Sequence, residues 1–340
     1  MKADFEVHKG TFLLYPNRMD VWRRQANPIA QTVVSLSALI AEFEPVYLGI
    51  LPEIDYTPHK TTLKKVKCQP MCYNDIWVRD TGAVPCETGM VAFGFNAWGG
   101  VEGLYQDWNL DQTVPEQMGD ILHQPIKRAD LVLEGGNLLS NGNGTLLVIK
   151  NTICNENRNP GVSLEEAEKR LKESLNVRKV IFIDEGLVFD ETGGHIDNLC
   201  AFADPKTLLL AWTDEAENPQ YSVVRKAYQK LTNETGANGE KFDIVKVPLP
   251  SIFQRTKEDC EGIERKQGSK SRVQDECIQP SYLNFIFVNG GVIVPVFGDE
   301  KDEQAEAVFK ETFKDREVHT FPAREIVLGG GGMHCITKNY

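Results

Sequence analysis

The chain has 340 residues and a formal net charge of −12, and 41% of its residues are hydrophobic. This is ordinary globular composition, and the acidic balance argues against nucleic acid or an anionic membrane surface as a partner. No apolar run approaches the roughly 20 residues that a membrane span needs. The first residues also lack the apolar segment of a signal peptide, so we expect a cytoplasmic protein.

Eight cysteines are spread along the chain. They lack the dense spacing of small secreted domains, and we interpret them as free thiols. Cys68 and Cys72 form the one close pair, and no second pair follows at the spacing of a zinc finger. We therefore expect no metal site.

The predicted elements alternate between strands and helices in chain order. Apolar, β-branched or aromatic runs predict strands at 11–15, 146–149, 180–183, 207–212, 244–247, 285–288, 292–296, 317–321 and 325–328. Caps and helical patterns predict helices at 27–43, 163–175, 219–232 and 303–313. The alternation predicts an α/β architecture, and without a Pro/Ser-rich linker we expect residues 1–340 to form a single domain.

The stretch 254–279 is polar, carries both charges and has no clear period. A loop of this length in a compact chain is typically either disordered or functional. We expect it to lie over or near the mouth of a site, as a lid.

Four glycine-rich segments adjoin apolar runs, at 134–137, 192–195, 289–291 and 329–332. A phosphate-binding loop would have to open a helix, but only eight residues follow Gly332, and no Gly-x-Gly-x-x-Gly motif or Walker lysine occurs. The other interpretation is that these glycines let the backbone crowd a buried site.

The reactive side chains beside these glycines are the candidate site. They are Glu134, His195, Asp197 and Cys335, and Asp80 joins them from a polar interruption after an aromatic residue. We interpret the segment 195–197 as a strand that points His195 and Asp197 into one pocket. By the same rule the residue before Cys335 points away from it, which leaves His195 as the base.

A cysteine, a histidine and several carboxylates suit one kind of substrate. A guanidinium is a planar cation rich in donors, so carboxylates can grip it, and its poorly electrophilic carbon calls for a thiolate. Each residue alone also fits a structural role, such as a satisfied core histidine or an inert buried thiol. The hypothesis depends on their occurring together.

The sequence resembles the agmatine deiminase family of the guanidine-modifying, or pentein, superfamily. The segments that carry the resemblance are 74–82, 134–137, 194–198, 212–215, 289–295 and 330–337. The resemblance implies a five-bladed α/β propeller with pseudo-fivefold symmetry and its active site on the axis. It implies no metal and no organic cofactor, and it allows for a homo-oligomer.

The resemblance also implies a role for each site residue. The implied roles are nucleophile for Cys335, general acid and base for His195, a bridge to substrate and proton transfer for Glu134, guanidinium-gripping carboxylates for Asp80 and Asp197, and lining of the site for Trp77 and Asp214.

The implied reaction is hydrolysis of agmatine to N-carbamoylputrescine and ammonia through a covalent thiouronium on Cys335. Deimination of arginine or of peptidyl-arginine is a related alternative. A non-catalytic binding module of the same superfamily is an alternative from another class, and it would lack the full set of site residues.

Overall fold

The computed structural model describes residues 1–87 and 89–340 and has an α/β fold. Its strands are β1 (Thr11–Leu14), β2 (Val46–Ile50), β3 (Lys67–Pro70), β4 (Val84–Cys86), β5 (Gly89–Gly94), β6 (Ile126–Val132), β7 (Leu139–Ser140), β8 (Thr145–Ile149), β9 (Lys179–Ile183), β10 (Cys200–Phe202), β11 (Thr207–Trp212), β12 (Asp243–Pro248), β13 (Phe253–Gln254), β14 (Cys277–Ile278), β15 (Ile286–Val288), β16 (Gly291–Val296), β17 (Glu317–Pro322) and β18 (Lys338–Asn339).

The helices are α1 (Asn27–Ile40), α2 (Val78–Thr81), α3 (Val114–Leu122), α4 (Lys150–Ile153), α5 (Leu164–Leu175), α6 (Ile196–Leu199), α7 (Tyr221–Asn233), α8 (Asp302–Thr312) and α9 (Arg324–Val327). Short 3-10 turns lie at 24–26, 57–59, 100–102, 111–113, 135–137 and 258–260. None of the described helices is long and apolar enough to cross a membrane.

One structural unit occurs five times. In each unit two strands pair antiparallel, and a third strand pairs parallel with the second after a helix. The first unit has β3 as an additional parallel strand. The strand sets are β18–β1–β2–β3, β4–β5–β6, β7–β8–β9, β10–β11–β12 and β15–β16–β17. The short antiparallel pair β13–β14 is the only additional sheet among the described residues.

Local sequence explains the helix of the third unit. The Ser163 hydroxyl accepts a hydrogen bond from Glu166 N at 3.2 Å, which satisfies an otherwise unpaired amide of the first turn of α5. Ala167, Leu171 and Leu175 follow at four-residue spacing and are buried in the same apolar cluster as the sheet beside them. The helix ends at Asn176, whose φ of 52° is left-handed.

Most predicted elements are present, and one has the wrong type. The sequence predicts a strand at 325–328, but Arg324–Val327 forms a helical turn. Ile326 and Val327 are buried, and a short buried apolar run does not distinguish a strand from a helix.

We call the segments that join the last strand of one unit to the first strand of the next the inner connections. They are residues 71–83, 133–138, 184–199, 249–285 and 323–337. The connections inside the units are the crossovers that carry the main helices and, in all units but the first, the turns between the two antiparallel strands. In the first unit these two strands, β18 and β1, come from opposite ends of the chain. The inner connections hold the candidate active site.

Candidate active site

Side chains from all five inner connections meet in one buried cluster, which we call the site cluster. Its members are Asp80, Glu134, His195, Asp197, Asn284 and Cys335, each at most 5% exposed. The five residues predicted from sequence for catalysis are therefore brought together, and Asn284 joins them.

Cys335 is the thiol of the site cluster. Its Sγ lies 3.2 Å from Asn284 Nδ2 and 3.8 Å from Asp197 Oδ2. Burial and the carboxylates of Asp197 and Asp80 raise the pKa of Cys335 well above its ordinary value. The sulfur is thus a thiol until positive charge arrives beside it.

His195 lies between two carboxylates. Its Nδ1 is 3.8 Å from Asp80 Oδ1, and its Nε2 is 3.5 Å from Glu134 Oε2. Burial opposes protonation of the ring, but Asp80 and Glu134 outweigh it and raise the pKa of His195 to about 9. At neutral pH the ring is an imidazolium, and it can donate a proton to a leaving group.

Glu134 is held by a buried arginine. Arg158 Nε donates to Glu134 Oε1 at 2.7 Å. Burial opposes ionisation of Glu134, but Arg158 and His195 outweigh it and lower the pKa of Glu134 to about 2. Glu134 is therefore a fixed anion, and its Oε2 has no hydrogen-bond partner within the described residues.

Asp80 is positioned by the helical turn α2 and by two donors. Its Oδ1 accepts from Gly136 N at 2.8 Å, and its Oδ2 accepts from Trp98 Nε1 at 3.0 Å. Burial raises the pKa of Asp80 to about 6, with Asp197 and Glu134 adding to the rise and His195 opposing it.

Gly136, two residues after Glu134, faces the site cluster. A Cβ on Gly136 would lie 2.6 Å from His195 Nδ1, 2.8 Å from Asp80 Oδ1 and 3.1 Å from Asp197 Oδ2. The missing side chain lets three members of the site cluster face the same space.

The strand interpretation of 195–197 is wrong, although its conclusion about a shared pocket holds. Asp197 lies on the helical turn α6, which His195 precedes, and both still approach Gly136. His195 N donates to Asp190 Oδ2 at 3.0 Å, which fixes the start of this turn. No flanking strand is available here, so alternation does not apply.

The prediction that His334 points away from the site is also wrong. His334 Nδ1 lies 2.8 Å from Asp197 Oδ2, the same oxygen that Cys335 Sγ approaches. The chain turns here because His334 N and Cys335 N both donate to Asn284 Oδ1, at 2.8 and 3.3 Å. Neighbouring residues of a turn can share a face, which strand alternation forbids.

The two predicted lining residues lie in different places. Trp77 is buried next to the glycine run, since a Cβ on Gly331 would lie 2.6 Å from its ring. Asp214 is not brought to the site cluster. Its carboxylate is exposed, pairs with Arg225 Nη2 at 2.6 Å and accepts from Trp212 Nε1 at 3.1 Å. It lies between β11 and α7, inside a unit, which is why the prediction for Asp214 was wrong in position.

Sequence reasoning missed Asn284, Arg158, Trp98 and the inward role of His334. A signal for Asn284 exists in the sequence. Asp80, Glu134, Asp197 and Cys335 each precede the first strand of a unit by three to five residues, and Asn284 precedes β15 by two. Arg158 and Trp98 lie in irregular segments and carry no comparable signal.

The segment 254–279 lies beside the site and has more structure than predicted. Cys277 and Gln279 line a pocket together with Asn284 and Gly332, next to Cys335. Arg272 ties the segment down, because its Nη2 donates to the Gly329 carbonyl at 2.7 Å. Its motion as a lid stays a prediction.

Within the described residues, no group of three or more His, Cys, Asp and Glu side chains is arranged to hold a metal ion. All eight cysteines are free thiols.

Known proteins resemble this chain over its whole length. The family model described as Porphyromonas-type peptidyl-arginine deiminase matches residues 1–340. A putative agmatine deiminase of Latilactobacillus sakei is 39% identical, and an agmatine deiminase of Pseudomonas fluorescens is 37% identical. Each alignment covers 99% of this chain and 94% of the relative.

A solved structure has a closely similar fold over the whole chain. Agmatine deiminase of Enterococcus faecalis, in a structure described as catalysing its reaction, superposes with a TM-score of 0.94 at 32% identity. The match covers 100% of this chain and 94% of that one. The chain therefore belongs to the Porphyromonas-type peptidyl-arginine deiminase family, together with these agmatine deiminases.

Proposed function

We propose that the protein is an agmatine deiminase, which hydrolyses agmatine to N-carbamoylputrescine and ammonia. The observation that carries this proposal is a set of buried polar atoms beside a thiol. Glu134 Oε2, Asp197 Oδ1 and both ring nitrogens of His195 have no hydrogen-bond partner among the described residues. The two carboxylate oxygens are acceptors whose burial without a partner is costly, and a guanidinium brings five donors and a positive charge to them. The N–H groups of the protonated His195 ring remain free to act on the leaving group.

The proposed reaction begins when the guanidinium enters between Asp80 and Asp197. Its positive charge lowers the pKa of the Cys335 thiol, which the same carboxylates otherwise raise, and the thiol proton is released to water. The thiolate forms a bond to the guanidinium carbon, and the His195 imidazolium donates a proton to the departing nitrogen, which leaves as ammonia.

The second half of the reaction uses the neutral ring that remains. His195 takes a proton from water, and the hydroxide attacks the thiouronium carbon. Collapse of this adduct breaks the carbon–sulfur bond and forms the ureido product, and the hydroxyl proton passes to the sulfur, which restores the Cys335 thiol. Each step uses protein side chains and water only.

We also propose that the five units form a five-bladed propeller with pseudo-fivefold symmetry. The repeated strand order supports this arrangement, since each unit has one antiparallel pair next to a parallel pair, and only the first unit adds a further parallel strand. The contribution of every inner connection to one cluster supports it too, because equivalent ends of five blades would meet at a common axis.

Agmatine is favoured over arginine by the charges around the site. An α-carboxylate would need a cation, but the buried arginines of this region already pair with carboxylates. The pairs are Arg79 with Asp4, Arg158 with Glu134 and Arg272 with Glu191. An unpaired carboxylate in such a site costs several kcal/mol, which corresponds to about a hundredfold or more in selectivity.

The test is a comparison of agmatine, free arginine and a peptide with an internal arginine, with the ureido product measured at neutral pH. We expect kcat/KM for agmatine to exceed that for arginine by at least about a hundredfold. Equal constants for agmatine and arginine would contradict the proposal. A preference for the peptide would assign the activity named in the family description instead.

A further inference from the structure

His334 joins the site cluster to the N-terminal segment. Its Nδ1 is 2.8 Å from Asp197 Oδ2, and its Nε2 is 3.2 Å from Oδ2 of Asp4. His334 is only 7% exposed, and each of its ring nitrogens lies within hydrogen-bonding distance of a carboxylate oxygen. The ring therefore forms a direct link between Asp197 and Asp4.

Asp4 is a fixed anion on the far side of this histidine. Arg79 Nη1 lies 3.1 Å from Asp4 Oδ1, and Arg79 Nε donates to the His334 carbonyl at 3.3 Å. Burial opposes ionisation of Asp4, but Arg79 and His334 outweigh it and lower the pKa of Asp4 well below its ordinary value. Asp4 and Arg79 thus fix His334 on the side of the ring opposite to Asp197.

Asp197 depends on His334 for its orientation. Within the part of the chain that the structure describes, His334 is the one nitrogen donor to this carboxylate. The bond engages Oδ2, which also faces Cys335 Sγ, and leaves Oδ1 buried and without a partner. A carboxylate held by one oxygen in this way presents the other to a substrate N–H.

We propose that His334 is a positioning residue, and that Asp4 acts through it to orient Asp197 against the guanidinium. This inference deepens the proposed function and depends on it. It gives the N-terminal segment a part in substrate binding although Asp4 does not touch the reacting atoms.

The test uses His334→Gln and Asp4→Asn, with His8→Gln as the matched control. His8 is also 7% exposed and also holds the N-terminal segment, because its Nε2 lies 2.7 Å from the Asp4 carbonyl oxygen and its Nδ1 lies 3.1 Å from Glu44 Oε2. It does not contact Asp197. A merely structural role would affect both histidine variants alike.

We expect His334→Gln to lower kcat/KM for agmatine about 100-fold, with a raised KM and a lowered kcat, since a displacement of about 1 Å at a reacting group costs this much. Asp4→Asn should lower it about tenfold, and His8→Gln should stay within about threefold of wild type. Equal losses in both histidine variants would overturn the inference. If His334→Gln does not fold, Asp4→Asn decides alone, and unchanged kinetics there would also overturn it.

A binding cycle separates this inference from the proposed function. In the inactive Cys335→Ser background, calorimetry with agmatine should show weaker binding for His334→Gln. The same change should have no effect once Asp197→Asn is present, because the two residues would then be coupled. An equal effect in both backgrounds would refute the positioning role, whereas a wild-type protein that forms no ureido product would refute the proposed function itself.

Discussion

Gly332 and Gly290 lie in two glycine-rich segments that look alike in the sequence but have different surroundings. A Cβ on Gly332 would overlap the side-chain amide of Asn284, the residue that contacts Cys335. A Cβ on Gly290 would meet nothing within 4 Å, and this residue has a φ of 84° in the turn between β15 and β16. The first glycine makes room for the site cluster, and the second permits a hairpin turn.

The same contrast separates two carboxylates. Asp197 lies on an inner connection and is 4% exposed, whereas the side chain of Asp214 lies inside a unit and is 79% exposed. Both belong to segments that resemble the agmatine deiminase family. Position relative to the repeated unit therefore separates site residues from surface residues better than residue type does.

Among substitutions in the inner connections, we expect replacement of Cys335 to cause the largest loss of activity. Cys335→Ala should abolish turnover, because the proposed reaction needs a thiolate and Cys335 carries the one thiol of the site cluster. Cys200→Ala is the matched control, since Cys200 is also a buried thiol and its pKa is also raised by burial, but it lies in β10. It should retain most activity.

Labelling tests the same cysteine independently. A haloacetamidine carries the charge that favours the thiolate, so it should modify Cys335 alone among the eight cysteines, as mass spectrometry can establish. Turnover in Cys335→Ala, or labelling on another cysteine, would show that the nucleophile is misassigned.

The contrast between Asp197 and Asp214 predicts the next largest effect on kcat/KM. Asp197→Asn keeps the shape of the side chain but removes the charge that faces a desolvated cation, and Asp80→Asn should act alike. We expect a loss of about 2–5 kcal/mol of transition-state stabilisation, or roughly 30-fold to several thousandfold in kcat/KM. Asp214→Asn should leave kcat/KM unchanged, because exposed ion pairs contribute little. A comparable loss of kcat/KM in Asp214→Asn would contradict the claim that site residues lie on the inner connections and surface residues do not.

Substitutions at Gly332 and Gly290 should give a smaller difference in kcat/KM. Gly332→Ala should displace the Asn284 amide and lower kcat/KM about 100-fold, since a shift of about 1 Å is enough. Gly290→Ala has room for its methyl group but an unfavourable φ, so it should cost about 1 kcal/mol of unfolding free energy and leave kinetics unchanged. Steady-state kinetics and urea unfolding of both variants measure this. Equal kinetic losses would mean that the glycines are not distinguished by their surroundings.

Much of the fold could be predicted from sequence, because hydrophobic periodicity and caps report on local structure. The strand at 207–212 and the capped helix α5 are examples. The short segments of the inner connections could not be predicted. The segment 195–199 is shaped by hydrogen bonds to the Asp190 side chain, and the run around His334 by long-range hydrogen bonds to Asn284, rather than by periodicity.

The site was predicted as residue types but not as a network. Glycine-adjacent acids and the chemistry of a guanidinium pointed to the charged members of the site cluster. Arg158 and Trp98 act on Glu134 and Asp80 from irregular segments distant in sequence. No local pattern marks such partners, because only tertiary packing brings them there.

The last prediction concerns stability and the buried charges of the inner connections. The pKa of His195 is raised to about 9 in the folded protein, against about 6.5 for an unperturbed histidine. The folded state therefore binds this proton more tightly, and the resulting stabilisation is complete below about pH 6.5 and is lost as pH rises through 9. A shift of this size corresponds to something on the order of 3 kcal/mol. The buried Lys338 has the opposite effect over part of this range: burial lowers its pKa to about 7, so its contribution to stability rises with pH.

The informative quantity is thus the difference in unfolding free energy between wild type and His195→Asn, measured by urea at pH 6.5 and 9.5. We expect wild type to lose its advantage between these two values, while the difference between wild type and Asp214→Asn stays flat. A pH-independent difference for His195→Asn would mean that the imidazole is not held between two ionised carboxylates.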